Sequence, residues 1–438
     1  MIYVDKNTRI PSVDETLGTL RMHNNMLPMF IDFDKLMMNL NYIQLLIPKV
    51  SGPLFQEIGR PPKVSAADNM KAWLINHNMT AGFDSTKTGI SLEKSSVDSA
   101  IESGKLTQEA IDLLRVYQKY SEYTKIRSTL IGLLQNPISN APSCDGHRML
   151  IIKPTWHPQN TGRVAMRDPA VQNFQHQLQE LLTVPEGYIK LHTDSGQIEP
   201  RLTYSYYIPD KQIQALINLY NDAYYGLLHY CTMAQNIVDS GTLQFSPMEI
   251  TPELKDMRQL IKRYGNGVMY GSKSNPTGDP IKAAMIKRIG EHPLRQQLID
   301  GYAQQIRMGQ TVFKTAFGTP IDTGNSKKLD DGYSSAGSIE EGKLRLAINN
   351  PIQGTAADLM RLSVAEANRI LMNKAKKSVI VAYMHDAGVF AVHEDEFSNL
   401  EKELGDIVSY QVEGWLPIYA EPDTGRRGGA DGFIKDLY

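Results

Sequence analysis

Apolar residues recur at helical spacing at Leu36, Leu40, Ile43 and Leu46, after a break at Pro28, and predict a helix within residues 20–50. The Gly/Pro-containing stretch Ser51 to Pro62 reads as a connection to a shorter helical segment around Met70 to Ile75. A turn-rich run, DSTKTGISLEKS, precedes a long helical pattern from about Gln108 to Leu134, closed by Pro137. Over residues 141–193 the pattern changes to short apolar runs, such as Met149 to Ile152, separated by Pro, Gly and Asn. That is the pattern of strands, and the run through Tyr188, Ile189 and Leu191 reads as one that ends near Asp194. Gln212 to Met269 looks helical again and is rich in tyrosine. Asp322 to Gly342 is the loosest segment and reads as a surface loop. A helix from about Thr355 to Lys374 follows, then SVIVAYMHDAGVFAV, two apolar strands meeting at a polar turn. No internal repeat or low-complexity tract interrupts this order.

Composition narrows the picture without changing it. At 438 residues the chain has room for two or three subdomains, and 41% hydrophobic with 21% charged residues is ordinary for a soluble globular protein. A net charge of -2 excludes a polycationic coat protein but leaves room for a basic cleft. Cys144 and Cys231 cannot form a disulfide framework or a cysteine-rich zinc site, which favours a reducing interior. The start MIYVDKNTRI lacks the form of a signal peptide, and no run of about 18 apolar residues offers a membrane span. The expectation is a cytoplasmic protein.

The candidate chemistry begins with DSGQIEPR, Asp194 to Arg201. A carboxylate at a strand end can hold a cation, with Gln197, Glu199 and Arg201 crowding polar groups into the next turn. A second carboxylate, Asp386, stands in MHDAG at the tip of the predicted hairpin, where an ordinary turn is the simpler reading. Paired on adjacent strands, two aspartates can hold two Mg²⁺ ions about 3.5–4 Å apart and clamp the oxygens of a phosphoryl transfer. Arg258, Lys262, Asn266 and Tyr270 are each four apart and form one helical stripe. A stripe of this kind is either a solvated basic face or a grip for a triphosphate, and Gly265 and Gly267 weaken the helix.

Taken together, these segments resemble family A DNA polymerases. DSGQIEPR, the Arg258–Lys262–Tyr270–Gly271 stripe and MHDAG occur in the order of that family's motifs A, B and C. RLAINNPIQGTAADLM (Arg345 to Met360) looks like its QGTAAD helix, and TGRVAMRDPAVQN (Thr161 to Asn173) resembles its TGR…DPxxQN segment. KIRST (Lys125 to Thr129), TKTGISL and MHNNMLPMFIDFDKL resemble upstream signatures, so the likeness runs from about residue 20 to the C-terminus. The resemblance implies an α+β right-hand polymerase fold with an antiparallel palm sheet, a helical thumb and helical fingers. The corresponding division is 1–140 for an N-terminal segment and thumb, 141–203 and 341–438 for the palm, and 204–340 for the fingers. It is the likeness of a phage-type member, polymerase domain only.

The same resemblance implies roles. Asp194 and Asp386 would bind two Mg²⁺ ions, or Mn²⁺ in their place, with the Ser195 carbonyl as an extra ligand. Arg258 and Lys262 would grip the triphosphate, and Lys262 would protonate the leaving pyrophosphate. Glu199 would exclude a 2′-hydroxyl, Tyr270 would stack near the nascent pair, and Gln197 and Asn266 would complete the nucleotide site. Arg163, Gln172, Asn173, Arg345, Asn349, Gln353 and His385 would touch DNA near the primer terminus, and Lys125, Ser128 and Thr129 would do so from the thumb. The partners implied are primer–template DNA and dNTPs, with a separately encoded exonuclease or replication proteins beyond them. A monomer without a proofreading exonuclease is expected, the acidic pairs Asp32/Asp34 and Glu394/Asp395/Glu396 reading as cap or solvated-face residues.

Departures from the pattern are specific. Ala387 stands where the family usually has Glu, Ser195-Gly196 replace Tyr-Ser, Pro200 replaces Leu, and Asn266 stands where an aromatic is usual. Loss of that Glu removes a secondary carboxylate, so activity is expected to survive. Three other readings compete: a single-subunit RNA polymerase, an inactive template-binding relative, and an aspartic protease suggested by the Asp194-Ser195-Gly196 and Asp322-Thr323-Gly324 triplets. The long helical stretches oppose the last.

Overall fold

Four antiparallel strands organise the centre of the molecule, in the order Val379–Met384, Ala387–His393, Tyr188–Ser195, Ala420–Gly425. The structure is a computed structural model that describes residues 1–59, 65–83, 85–86, 89–135, 148–173, 178, 181–232, 248–270, 279–323 and 336–425. Both strands of the hairpin are almost wholly buried, which explains their near-continuous apolar sequence. The central strand Tyr188–Ser195 instead alternates half-buried with buried positions, so its two faces meet different surroundings. On one face Leu191 and Phe390 join the core around Leu400, Leu404 and Tyr410. Asp194 stands on the other.

Among the described residues there are three large apolar clusters and a small fourth of Phe30 and Met149. The largest joins the sheet to Ile31, Leu36, Ile43, Leu130 and Leu359. A second is built by Tyr204, Ile213, Leu227, Ile261, Val268, Met285 and Ile352, and a third by Leu54, Met70, Leu74, Leu114 and Tyr117. The second and third clusters are built mainly by helices packed on helices, with Leu416 joining the second and the strand residue Ile90 the third.

Two helices run further than their sequences suggest. Phe33–Ile58 continues through Pro48 and Pro53, where a connection from Ser51 was expected. An interior proline costs ~3 kcal/mol, but Leu54 and Ile58 beyond it are buried in the third cluster and offset that cost. Likewise Ala336–Lys374 is one helix through Pro351, where a loop to Gly342 and a helix from Thr355 were expected. Ile348 and Ile352 flank that proline and are both buried. Gly265 and Gly267 likewise do not end Pro252–Met269.

Gly354 in the QGTAAD segment has a steric reason. A side chain there would meet Thr315 Cγ2 at 2.9 Å and the Thr161 carbonyl at 3.3 Å, besides colliding with Ile321. The ribbon Val312–Lys314/Pro320–Asp322 can therefore rest directly on the long helix. Asp358, buried beside it, accepts from Thr315 Oγ1 at 2.6 Å and pairs with Arg361.

Candidate active site

Asp194 and Asp386 are brought together by strand register. Asp194 pairs with Ala387, so Asp386, one residue earlier, sits at the turn beside it, and the Ser195 amide donates to the Asp386 carbonyl at 3.0 Å. Met384 pairs with Ala387, so the turn has two residues, and His385 takes a left-handed φ of 56° to close it. Thr193 Oγ1 donates to the Gly405 carbonyl (2.6 Å) and Ser195 Oγ to that of Val408 (2.9 Å). These bonds pin the two neighbours of Asp194 to the core side and leave its carboxylate on the cleft side. The Ser195 side chain is thereby turned away, so only its backbone carbonyl is a candidate ligand.

The electrostatics of the pair call for a cation. Burial, then the charges of Asp386 and Glu421, push the Asp194 carboxyl up to about 7, against smaller opposing effects of the Ser195 amide and Lys262. Burial raises Asp386 too, while Arg163 and His385 favour its ionised form. Asp194 Oδ1 is buried without a hydrogen-bond partner. Two crowded carboxylates with an unmatched oxygen fit a divalent cation. Among the described residues no group of three or more His, Cys, Asp or Glu forms a metal cage. The donor set therefore suits a hard cation that completes its shell with water and substrate oxygens, as magnesium does.

Across the cleft lies the helix Pro252–Met269 with Arg258 and Lys262, and Tyr270 follows directly after it. Arg258 donates to Asp222 Oδ2 through Nε (3.1 Å) and a terminal nitrogen, and lies over the rings of Tyr224 (5.4 Å) and Tyr225 (5.2 Å). Lys262 is exposed, stands 6.0 Å from the Tyr224 ring, and is near enough to act on Asp194. The Tyr270 hydroxyl donates to Glu199, whose other oxygen accepts from Arg163 at 2.6 Å. Burial first, then the Glu199 charge, drive the Tyr270 phenol well upward, so it acts as a neutral donor. Arg163 at the end of one hairpin, Glu199 after the central strand and Tyr270 beyond the cationic helix thus form one chain of contacts.

The remaining expected residues divide. His385 and Arg163 line a common cleft with Gly162, Ala357 and Arg361. Arg345, Asn349 and Gln353 fall four apart along Ala336–Lys374 and share one stripe, exposed at Arg345 and half-buried at the others. Gln172 accepts from the Met166 amide at 2.6 Å, which fixes its side-chain oxygen within the protein. Gln197 is similarly engaged, donating to Asp222 at 2.7 Å and accepting from the Ala223 amide. Arg201 is buried and donates to the carbonyls of Pro417 (2.7 Å) and Asn221 (2.9 Å), so the last residue of DSGQIEPR is architectural. Lys125, Ser128 and Thr129 occupy the Gln108–Gln135 helix at exposed or half-buried positions, and Thr129 back-bonds to the Lys125 carbonyl. The side chains of Asn173 and Asn266, with Gly271, Cys144 and Pro137, lie outside the described residues. Asp322 belongs to a different sheet from Asp194, which separates the two halves of the protease triplet pattern.

Sequence reasoning missed Asp222, Tyr224 and Glu421. Asp222 had a signal, because it precedes an apolar helical run and caps it, accepting from the Tyr225 amide at 2.8 Å. Glu421, in the polar run AEPDTG, had none.

Comparison with solved structures gives the same architecture. The POL domain of Pol1 from M. smegmatis, described in complex with DNA primer-template and dNTP, superposes with a TM-score of 0.73 at 20% identity, covering 95% of this chain and 69% of that one. The fold is thus the right-hand α+β fold of a polymerase domain. Residues 46–428 match the family model of DNA polymerase family A, and the chain belongs to that family. DNA polymerase I of Caldicellulosiruptor bescii is 26% identical over 374 residues, 81% of this chain and 39% of that protein. DNA polymerase I of Pseudomonas aeruginosa is 24% identical over 336 residues, 73% and 34%. The thermostable DNA polymerase I of Thermus filiformis is 22% identical over 392 residues, 86% and 43%. The chain therefore spans about a third to two fifths of the length of these relatives. None of its described helices is long and apolar enough to cross a membrane.

Proposed function

We propose that this chain is a template-directed DNA polymerase that adds dNTPs to a primer 3′-hydroxyl by two-metal-ion nucleotidyl transfer, in DNA replication. The observation that carries the reading is the pair Asp194 and Asp386, crowded on adjacent strands with an unpartnered buried oxygen and facing Lys262. Bound there, two Mg²⁺ ions, or Mn²⁺, would activate the attacking hydroxyl and neutralise charge on the leaving oxygen. Asp194 and Asp386 hold the cations, with the Ser195 carbonyl as a further donor. Arg258 presents a planar fork to the triphosphate once it leaves Asp222, and Lys262, a point charge nearer the carboxylates, supplies a proton to the pyrophosphate oxygen. Glu199, fixed between Arg163 and Tyr270, presents a wall to a 2′-hydroxyl, and Tyr270 offers a ring face to the nascent pair. Gln197 and Asn266 complete the nucleotide site in this scheme.

The product strand is held by the Arg345–Asn349–Gln353 stripe, by Arg163, Gln172, Asn173 and His385 near the primer terminus, and by Lys125, Ser128 and Thr129 in the thumb. Such contacts position a duplex without reading it, as an enzyme that copies any sequence requires. In this scheme residues 1–140 contain the thumb, 141–203 and 341–438 the palm, and 204–340 the fingers. The chain works as a monomer in the cytoplasm, with replication proteins or a separate exonuclease as further partners.

Primer extension with dNTPs against rNTPs, with and without Mg²⁺ and on matched and mismatched 3′ ends, tests the reading. Metal-dependent extension with dNTPs only is expected, and mismatched ends should not be excised. Preference for rNTPs would replace it with the RNA polymerase reading, and template binding without extension would mark an inactive relative.

A further inference from the structure

The edge strand Ala420–Gly425 carries a third carboxylate into the same cleft. In its register, Ala420 stands opposite Ser195, Glu421 opposite Asp194 and Pro422 opposite Thr193. Directly opposed residues of an antiparallel pair share a face. Thr193 and Ser195 face the core side, where their hydroxyls bond Gly405 and Val408, and the Pro422 ring lies against Gly405 on that side. Glu421 therefore faces the cleft with Asp194. A Cβ at Gly196 would stand 2.8 Å from Glu421 Oε1, so this carboxylate lies over the turn that follows Asp194, in space that glycine leaves open. On the opposite flank the residue paired with Asp194 is Ala387, which has no polar side-chain atom.

We propose that Glu421 supplies a third negative charge beside the metal site, strengthening divalent-cation binding by Asp194 and Asp386 from the edge strand without completing a three-ligand cage. This rests on the two-aspartate reading of the site given above. Among the described residues Glu421 forms no ion pair that would occupy its charge. Arg201, close enough to feel the Glu421 charge, has its guanidinium bonded to Pro417 and Asn221 instead. Opposite Asp194 in the ladder, Glu421 adds a like charge to that flank of the metal-free site. A bound cation reverses the sign of that arrangement, because affinity for a hard cation rises with the number of anionic oxygens facing it.

The test is a Mn²⁺ titration of the intact chain without DNA, read by electron paramagnetic resonance, for wild type, Glu421→Gln and Asp386→Asn. Melting in chelator at pH 8 accompanies it. Glu421→Gln should raise the Mn²⁺ Kd by about three- to tenfold, the scale of one charge removed at close range in a partly screened site. Asp386→Asn should raise it further. In chelator Glu421→Gln should melt no lower than wild type, since it relieves repulsion. Unchanged Mn²⁺ binding in Glu421→Gln alongside weakened binding in Asp386→Asn removes Glu421 from the site and leaves the aspartate pair standing. Unchanged binding in both overturns the pair and this proposal with it. Weaker binding accompanied by a lower melting temperature in chelator would make Glu421 a structural support, and overturns the proposal as well.

Discussion

The sheet and the cationic helix face each other across one cleft, yet they hold their charges in opposite states. On the sheet, Asp194 and Asp386 are crowded, disfavoured as anions and partly unpartnered. On the helix side, Arg258 is paired with Asp222 and Tyr270 is bonded to Glu199. A ladder of backbone bonds with buried residues on its core face can force like charges together, because the register is fixed by many contacts that do not involve them. An arginine on a half-buried helix face has no such constraint and settles on a carboxylate. In the proposed scheme the acidic half takes up a cation, whereas Arg258 is satisfied by Asp222 and has to be released to meet phosphate.

The sharpest way to break this comparison is at the acidic half. Asp386→Ala is expected to lower primer extension by about 10³-fold or more while leaving primer–template binding within a few-fold. Extension near the wild-type rate would mean that the crowded pair has no chemical use. At the basic half, Arg258→Ala should raise the KM for dNTPs by roughly 10–100-fold, the scale of a lost charge-assisted contact of about 1.5–3 kcal/mol. A KM within two-fold of wild type would show that Arg258 serves only Asp222.

The contrast also predicts opposite pH signatures in metal-free protein. Asp194 titrates near 7 in the folded chain against 3.8 as its ordinary value, so wild type loses stability as pH rises through that window. Asp194→Asn should therefore be the more stable protein above pH 7, by about 1–2 kcal/mol after allowance for solvent screening, and equal to wild type near pH 4. Burial alone would raise Asp222, but Arg258, the Tyr225 amide and Gln197 hold it below the usual carboxylate range. Asp222→Asn should accordingly lose about 1–2 kcal/mol at neutral pH, the difference closing as pH falls below about 4. Denaturant melts from about pH 2 to 8 check both limbs, and curves of the same sign for the two variants would erase the comparison. The smallest effect is expected at Tyr270→Phe, which removes one hydroxyl bond to Glu199 and should change dNTP turnover by only about two- to fivefold. Its ribonucleotide incorporation should rise, since Glu199 then loses one of its two anchors; incorporation at the wild-type level would show that Arg163 holds Glu199 unaided.

How much of this was legible in the chain differs from element to element. The alternation around Tyr188–Ser195 and the apolar runs on either side of MHDAG predicted the strands that carry both aspartates, because those strands lie against the core and period-2 burial imprints itself on sequence. The long helix Gln108–Gln135 was equally plain. Helices interrupted by Pro53 and Pro351 were not, since the local penalty is visible in sequence while the burial of Leu54 and Ile352 that outweighs it is not. Among the candidate site residues, Asp194, Asp386, Arg258 and Lys262 were singled out by spacing and family resemblance, and the fold brings them to one region. Gln197 and Arg201 carried the same polar signal but are engaged with Asp222, Ala223, Pro417 and Asn221.

The sequence alone therefore determined the class of fold, the strands that carry the aspartates and the helical stripe that carries the cations, since each depends on periodicity within one segment. Which charges confront one another was decided only in three dimensions. Asp194 meets Asp386 and Glu421 through registers joining segments about 190 to 230 residues apart, and Arg258 meets Asp222 across 36. A one-residue slip of the edge strand would carry Glu421 to the core face. No property of AEPDTG by itself specifies that register; the ladder and the burial of its neighbours do.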